Sequence, residues 1–382
     1  MNTPEFGAKL SQETKRPIDN LFSILKNDVL NLRHFWSLFI GFFLISLIAS
    51  HIYNDGILDG ILKYTTRTMK LMISTSIMFV FVFAFLSISF VFMRNRKNSD
   101  ATFLISFLNH VKPYLPSSMS TLRVVIAFIS FPILMGCFVY WKEKIGQFNA
   151  YDWDVTFAQW DYVLFFGNDA WEVLHPFIGI ETITRSLDFI YYFWIIMCVI
   201  WWVFVFTSKS LANEIKHQYL LATLLSWVFI GLFAATFFAS GGPVYYDEFT
   251  GDGQRYSELM LYLQSFGFIN QIGEMTDALR AVRAHEYLWQ VHIGQLQTPG
   301  GISAMPSMHN AQAVLFVLVA YSFSRLIGHL MLIHAIIIFI GSIHLAWHYA
   351  VDGIVCAPMV ITIWYIAGRM TGTYKTKNQR RP

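Results

Sequence analysis

The sequence predicts an all-α integral membrane protein with about eight transmembrane helices. Three observations lead to this fold class. Hydrophobic residues make up 55% of the 382 residues and charged residues only 13%, about half the charged share of an ordinary soluble protein. Eight apolar runs approach or exceed the length that crosses a bilayer. The Lys and Arg residues between these runs are unevenly distributed.

The eight apolar runs supply the predicted helices. A helix needs about 20 mainly apolar residues to span the hydrocarbon core. The second and fifth runs are the clearest, because each continues for 23 residues without a charge. The last three lie close together, and two of them have polar ends. The runs are 35–53, 71–93, 124–141, 187–206, 218–240, 307–327, 330–348 and 351–370.

The distribution of charge orients these helices. With the N-terminus in the cytoplasm, eight spans return the C-terminus to the same side. The cytoplasmic segments, together with Arg325 and Arg369 at the cytoplasmic ends of their runs, hold 18 of the 27 Lys and Arg residues. Cytoplasmic loops carry such an excess. Segments 142–186 and 241–306 then lie on the outer side. Within the first, 157–179 has the pattern of an amphipathic helix at the membrane interface. A cap packed over the helix bundle is the alternative.

Ionisable residues gather where three segments meet at the predicted outer face. Charged groups near the hydrocarbon usually face a cavity and serve a function. His348 and Asp352 lie four residues apart in "SIHLAWHYAVDG", so on a helix they would share one face. The Asp could then accept the proton of one ring nitrogen and leave the other as a base or nucleophile. A helix end with two solvated side chains is the alternative.

The segment "GGISAMPSMH", residues 300–309, places a glycine turn before a helix start. Pro306 suits the first helical turn, where its missing N–H is no loss. The free amides from Ser307 to His309, at the positive end of the helix dipole, would form an anion site, and the Ser307 hydroxyl could add a donor. A plain loop-to-helix junction is the alternative for these residues taken alone.

Together these residues resemble the type 2 phosphatidic acid phosphatase superfamily, and most closely its branch of inositol phosphorylceramide synthases and their bacterial relatives. Pro306 to His309 matches the family motif Pro-Ser-x-His, and His348 with Asp352 matches the end of its His-x-x-x-Asp motif. The resemblance implies four parts of the chain. These are a cytoplasmic segment 1–34, two accessory transmembrane helices 35–93, a six-helix, phosphatase-like catalytic membrane domain 120–370 and a basic cytoplasmic tail 371–382.

The family's cationic motifs are not preserved. The Lys followed six residues later by Arg-Pro is missing from the predicted outer side, and Gly341-Ser342 stands where the phosphatases have Ser-Arg. This departure favours the synthase branch, which similarly lacks these cations. Arginine can replace them, because it binds phosphate oxygens in bidentate fashion; an ordinary solvated charge is the alternative for each. The candidate substrate-binding residues are Ser307, Tyr245, Arg255, Arg280 and Arg283.

The resemblance also implies a phosphohistidine mechanism without a metal or cofactor. His348, oriented by Asp352, would attack a lipid phosphate, and His309 would protonate the departing oxygen and then deprotonate the acceptor. We expect a membrane lipid phosphate donor, an alcohol or water as acceptor, and no nucleic acid partner. The cation pattern favours a head-group phosphotransferase, and a lipid phosphate or pyrophosphate phosphatase is the alternative. The site would face the periplasm of a bacterial inner membrane, or the lumen of the Golgi or endoplasmic reticulum in a eukaryotic cell.

Two other functions compete with phosphotransfer. His344, His348 and Asp352 are spaced four residues apart, and with His309 they could bind zinc and activate water, as in an intramembrane hydrolase. Sensitivity to EDTA would separate this chemistry from the metal-free scheme. A transporter or lipid-binding scaffold could instead use the same groups as a proton relay. It would move its substrate without a phosphorylated intermediate.

Overall fold

The protein was analysed as a computed structural model. It describes residues 30–53, 65–70, 72–74, 118–208, 211–269, 275–296 and 300–374, with the single positions 62, 77, 88, 89, 92 and 298. The predictions for the N-terminal segment, for most of run 71–93 and for the tail from residue 375 lie outside these residues. Six described helices are long and apolar enough to cross a membrane. The fold is an all-α membrane fold.

The helices are numbered along the described part of the chain, as follows. They are α1 Arg33–Tyr53, α2 Ser118–Lys142, α3 Ile145–Phe148, α4 Asp154–Leu164, α5 Ala170–Ile178, α6 Glu181–Thr207, α7 Asn213–Leu225, α8 Ala235–Phe237, α9 Tyr246–Thr250, α10 Ser257–Gln264, α11 Arg280–His292, α12 Met308–Tyr321, α13 Arg325–His344 and α14 Ala350–Thr371. A π-helix, Ser226–Ala234, joins α7 to α8, and a 3-10 turn, Pro243–Tyr245, precedes α9. Strands β1 Phe268–Ile269 and β2 Met275–Thr276 pair antiparallel.

The membrane bundle is built around α12, which packs against both α13 and α14. Helix α7 packs against α14, and α6 packs against α2 and α13. Helix α1 joins the same bundle, because the fully buried ring of Phe35 lies edge-on to Trp202 of α6 at 5.8 Å. Residues 65–70 and 72–74 are helical too and are called the accessory segment below. Met72 of this segment is buried in the core.

The limits of the last runs differ from the predicted ones. Helix α12 ends at Tyr321 and α13 begins at Arg325, because the Ser324 hydroxyl accepts a hydrogen bond from the Ile327 amide and caps the new helix. Helix α13 then ends at His344 rather than at residue 348. Two residues later Ala346 has a φ of 61°, a left-handed conformation that ends a helix. His348 therefore lies in the link between α13 and α14.

Segment 157–179 forms part of a cap and not one interfacial helix. Helix α4 packs against α14, and α5 packs against α13, at the end of the bundle where α13 stops. The predicted single helix is interrupted because Phe166 and Gly167 have φ values of 57° and 88°. The Asp169 side chain and Glu172 then form a capping box that starts α5. The cap alternative is the one that the structure supports.

Candidate active site

A cavity of about 770 Å³ lies between the cap and the bundle. It is lined by residues of α2, α6, the π-helix, α11, the accessory segment and the link between α13 and α14. Its walls are mainly apolar, with polar groups from a few places only. Two of these polar groups are His309 and His348. A deep apolar cavity with a few converging polar groups is the usual form of a ligand site.

The two histidines of the sequence motifs meet in this cavity. Their ring centroids lie 6.0 Å apart. His348 Nδ1 is 3.1 Å from Asp352 Oδ2, and Asp352 is fully buried. Because the carboxylate accepts a hydrogen bond from Nδ1–H, the lone pair of His348 lies on Nε2. Burial lowers the pKa of His348 to about 3, and the positive charge of Lys142 lowers it as well, so this imidazole is neutral near pH 7.

His348 and Asp352 meet without sharing a helix, so the predicted reason for their contact is wrong. His348 precedes α14, and Asp352 is the third residue of that helix. The same Asp352 oxygen accepts the Tyr349 backbone amide at 3.2 Å. Asp352 thus accepts a hydrogen bond from a free amide at the start of α14 and also orients His348. The four-residue spacing fits a helix start as well as a continuous helix.

His309 lies in the first turn of α12 and is held by two aromatic rings of α6. The Tyr191 ring is stacked on it at 4.4 Å, and the Trp194 ring lies at 4.0 Å. Both aromatic residues line the cavity. Sequence reasoning missed them, although their spacing of three residues already puts them on one face of a helix.

Ser307 caps α12 and does not line the cavity. Its side chain is fully buried, and its oxygen accepts hydrogen bonds from the Asn310 backbone amide at 3.3 Å and side-chain amide at 3.0 Å. Asn310 also donates to the Ser342 hydroxyl at 3.3 Å. These bonds tie the start of α12 to α13. Ser307 therefore has a structural role in this arrangement, and its predicted contact with the substrate stays a prediction.

The three arginines predicted to bind phosphate are not among the residues that line the cavity. The Arg255 side chain pairs with Asp169 at 2.6 Å within the cap and donates to the Ala158 carbonyl at 2.8 Å. Arg280 contacts Asp188 at 3.3 Å, and Arg283 donates to the Ala278 carbonyl at 2.7 Å. Each guanidinium thus stabilises the outer segments.

The cations that do line the cavity come from other parts of the chain. Lys142 ends α2, and Arg67 and Lys70 belong to the accessory segment. Sequence reasoning missed all three as site residues. Their only signal was their position, beside an apolar run on the predicted outer side, and that signal is shared by many solvated lysines. Tyr245, in contrast, was predicted and lines the cavity, although its hydroxyl donates to the His285 carbonyl at 2.8 Å.

His344 does not join the two catalytic-motif histidines. Its Nε2 lies 2.8 Å from the Thr184 hydroxyl, and that hydroxyl lies 2.8 Å from the Tyr262 hydroxyl. Within the described residues no three His, Cys, Asp or Glu side chains are grouped closely enough to hold a metal ion. The four zinc ligands considered from the sequence therefore do not converge.

Comparison with known families agrees with this geometry. The model of the PAP2 superfamily matches residues 156–366, which is more than half of the chain. The chain belongs to the PAP2 superfamily. Members of this superfamily are phosphatases or phosphotransferases acting on lipid phosphates, so the protein is a membrane enzyme of this class. No curated protein and no solved structure matches the chain.

The PAP2 region contains both histidines and Asp352, while the three cavity cations lie outside it. Lys142 and the accessory segment precede residue 156, where the match begins. The cavity of this PAP2 enzyme is therefore completed by helices that the shared region does not include.

Two buried carboxylates of the cap hold the start of α14, where the catalytic-motif residues lie. Asp161 accepts the Ala350 amide at 2.7 Å and the Val351 amide at 2.9 Å. Asp154 accepts the Tyr349 hydroxyl at 2.7 Å. It also accepts the two amides of the Gly-Gly pair that starts "GGPVYY", at 2.7 and 2.8 Å. The residues between His348 and Asp352 are thus fixed from the cap side.

Proposed function

We propose that this protein transfers a phosphoryl or phospho-head group from a lipid-linked phosphate to an acceptor hydroxyl through a phosphohistidine intermediate, at the non-cytoplasmic face. One observation carries the proposal: two imidazoles lie 6.0 Å apart in one cavity, and a buried carboxylate orients one of them. Two rings at this separation can contact opposite sides of one phosphate group.

In the first step, His348 Nε2 attacks the phosphorus atom, and the bond from phosphorus to the leaving oxygen breaks. Asp352 stabilises the positive charge that develops on the imidazole, because its carboxylate accepts a hydrogen bond from Nδ1–H. His309 donates a proton to the leaving oxygen. Proton transfer by a positioned group is worth about 10²–10⁴ in rate. His309 should therefore assist the reaction, while His348 is indispensable to it.

In the second step, the acceptor oxygen attacks the phosphorus atom of the phosphohistidine, and the N–P bond breaks. His309 takes the proton of the acceptor and returns to its starting state. Splitting one displacement into two is the general advantage of a covalent intermediate. Lys142 supports both steps, because its ammonium group lines the cavity and can neutralise the equatorial phosphate oxygens.

The acceptor decides between transferase and phosphatase. We favour an alcohol acceptor and a place near the inositol phosphorylceramide synthase branch, because the sequence lacks the cationic motifs of the phosphatases. The apolar cavity walls suit a second lipid better than they suit free water. The distribution of Lys and Arg supports a site on the non-cytoplasmic side.

A trapping experiment tests the intermediate. Purified protein is incubated with a lipid phosphate labelled at phosphorus and quenched in alkali, in which phosphohistidine survives. We expect label on the wild type, none on His348→Ala, and a slow appearance of label on His309→Ala. Equal and mild losses of activity in both variants would count against the assigned roles.

A second experiment tests the acceptor. Release of free phosphate is measured with and without long-chain alcohol acceptors. Transfer to the alcohol, with little free phosphate, is expected. Phosphate release at the same rate whatever the acceptor would make the protein a phosphatase. Loss of turnover in EDTA, restored by zinc, would contradict the metal-free scheme.

A further inference from the structure

The cavity carries more positive charge than a reacting phosphate alone requires. Three cations, Arg67, Lys70 and Lys142, line it. Asp188 is the one carboxylate among the described lining residues, and it is 3% exposed. That carboxylate already accepts the backbone amides of Arg280 and Ala281, at 3.0 and 2.8 Å. Among the described lining residues no further carboxylate offsets the three cations, so they can balance the charge of a ligand.

Lys142 and the accessory cations differ in their relation to the histidines. Lys142 lines the cavity together with both histidines, and its charge lowers the pKa of His348, so we assign it to the reacting phosphate. A phosphate monoester carries a charge of about −1.5 to −2 at pH 7. The ammonium group of Lys142 and the proton that His309 transfers neutralise most of that charge. Arg67 and Lys70 are then additional to the needs of one phosphate.

We propose that Arg67 and Lys70 form a second anion subsite, which binds a phosphate-class anion that the substrates carry in addition to the reacting phosphate. This inference rests on the proposed function, since it concerns the same cavity. Arginine suits such a subsite because its planar fork binds two oxygens of a phosphate, and lysine adds a mobile point charge.

The accessory segment, which carries both cations, is anchored beside the cavity, although Arg67 and Lys70 themselves are exposed. The Thr65 hydroxyl donates to the Pro132 carbonyl of α2 at 3.4 Å, and Met72 is fully buried. The Arg67 guanidinium lies 5.9 Å from the centre of the Tyr287 ring of α11. The segment thus bridges α2 and α11 on one wall of the cavity. Because it lies outside the PAP2 region, the subsite belongs to this chain and not to the shared domain.

Two sources can supply the second anion. It can be the second phosphate of a lipid diphosphate donor, or the anionic head group of an acceptor lipid. Both present the same oxygens to Arg67 and Lys70, and kinetics separate them. One arm compares a lipid monophosphate with a lipid diphosphate of the same chain, using a neutral alcohol acceptor. The other arm keeps the monophosphate donor and compares a neutral with an anionic acceptor lipid.

The variants are Arg67→Gln, Lys70→Gln and the double variant, in full-length protein. Loss of one charged contact is expected to raise KM for the doubly anionic substrate about tenfold, so about a hundredfold in the double variant, with kcat within about threefold. KM and kcat for the singly anionic substrate should not change. Arg67→Lys should recover part of the loss. Arg185→Gln is the matched control, because Arg185 pairs with Glu181 and Asp277 outside the cavity lining.

A binding measurement keeps the subsite distinguishable from the chemistry. Inorganic phosphate and inorganic pyrophosphate are titrated into His348→Ala protein, with tryptophan fluorescence as the signal, since Trp194, Trp227 and Trp347 line the cavity. Pyrophosphate should bind more tightly than phosphate. Adding Arg67→Gln and Lys70→Gln to the His348→Ala protein should abolish this difference in affinity.

The outcomes separate the two proposals. If the wild type transfers no phosphate but pyrophosphate binding still depends on Arg67 and Lys70, the subsite stands and the proposed function is wrong. An active enzyme whose double variant changes KM equally for all substrates, or for none, would overturn the subsite alone. Absence of both turnover and preferential pyrophosphate binding would overturn both.

Discussion

Asp161 should control the position of His348 without touching the substrate. It is 2% exposed on α4 and accepts the first two amides of α14, from Ala350 and Val351. These two residues stand between His348 and Asp352 in the chain. Because the start of α14 sets the direction of both side chains, a change in how Asp161 holds these amides should move the nucleophile relative to His309.

The magnitude follows from the two hydrogen bonds. A buried donor left without its acceptor costs about 1–3 kcal/mol, so Asp161→Ala should cost roughly 2–6 kcal/mol. Asp161→Asn keeps a carbonyl for one amide and should cost about 1–3 kcal/mol, which a native protein can tolerate. A misplacement of about 1 Å at the reacting atoms can cost about 10²-fold in rate. We therefore expect Asp161→Asn to lower kcat about 10²-fold with KM within about threefold.

Steady-state rates with a lipid phosphate in detergent, together with thermal unfolding, test this expectation. Asp169→Asn is the control, because Asp169 is also a buried carboxylate of the cap but binds Arg255 instead of the α14 amides. It should lower Tm and leave kcat close to that of the wild type. The reasoning is refuted if both variants lose kcat in proportion to their loss of Tm, or if Asp161→Ala retains the kcat of the wild type.

Three further predictions concern the cavity and the cap. Lys142→Gln should lower kcat about 10²–10³-fold, the usual effect of removing one transition-state cation or donor, and Lys142→Arg should recover part of it in the same rate assay. Gly231→Ala should raise KM for long-chain lipids several-fold and spare short-chain ones, because a Cβ there would lie 2.8 Å from Phe138 and 3.1 Å from Met308. Burial raises the pKa of Asp161 to about 7, although the hydrogen bonds from the two amides lower it. Protonation below about pH 7 removes an acceptor for these amides, so kcat should fall as the pH falls below that value. The free energy of unfolding should respond in the opposite sense. A carboxyl group whose pKa is raised by folding stabilises the protein at low pH, and this stabilisation is lost as the pH rises through about 7. The dependence of Tm on pH measures this effect.

The fold could be predicted because bilayer thickness leaves few choices. A run such as 187–206 must be helical if it crosses the hydrocarbon, where each backbone amide needs a partner within its own segment. The helix α6 that forms there is longer than the run, Glu181–Thr207, because its first turns extend into the polar cap. The end of α13 was predicted less well. The sequence stays apolar past residue 344, so hydrophobicity does not mark the end of the helix. The helix stops there because Ala346 adopts a left-handed φ.

The histidines could be predicted and the cations could not, for one physical reason. His309, His348 and Asp352 are brought together by two adjacent helix starts, so their local sequence carries the information. Arg67 and Lys142 meet them only through packing between distant helices. Arg255, in contrast, looked available in the sequence but is paired with Asp169, 86 residues away. Partners at such separations leave no mark on the surrounding sequence.

Two helix starts meet at the cavity, and only one of them is open to an anion. At α14, Asp161 accepts the amides of Ala350 and Val351, and Asp352 accepts that of Tyr349. The protein's own carboxylates thus occupy the positive end of this helix dipole. At α12, the Ser307 side chain accepts the Asn310 amide. The amides before it, those of Met308 and His309, precede the first intrahelical bond.

In the proposed reaction, a phosphate beside His309 would meet the amides of α12 as backbone donors and Lys142 as a cation. This division explains how one cavity can hold a carboxylate next to the nucleophile and still bind a negatively charged substrate. The carboxylates neutralise the α14 terminus and orient His348 through its Nδ1 atom, and Lys142 lines the same cavity as His348. In the proposed reaction, a substrate anion would then approach Nε2 of His348 and not Nδ1, which Asp352 holds.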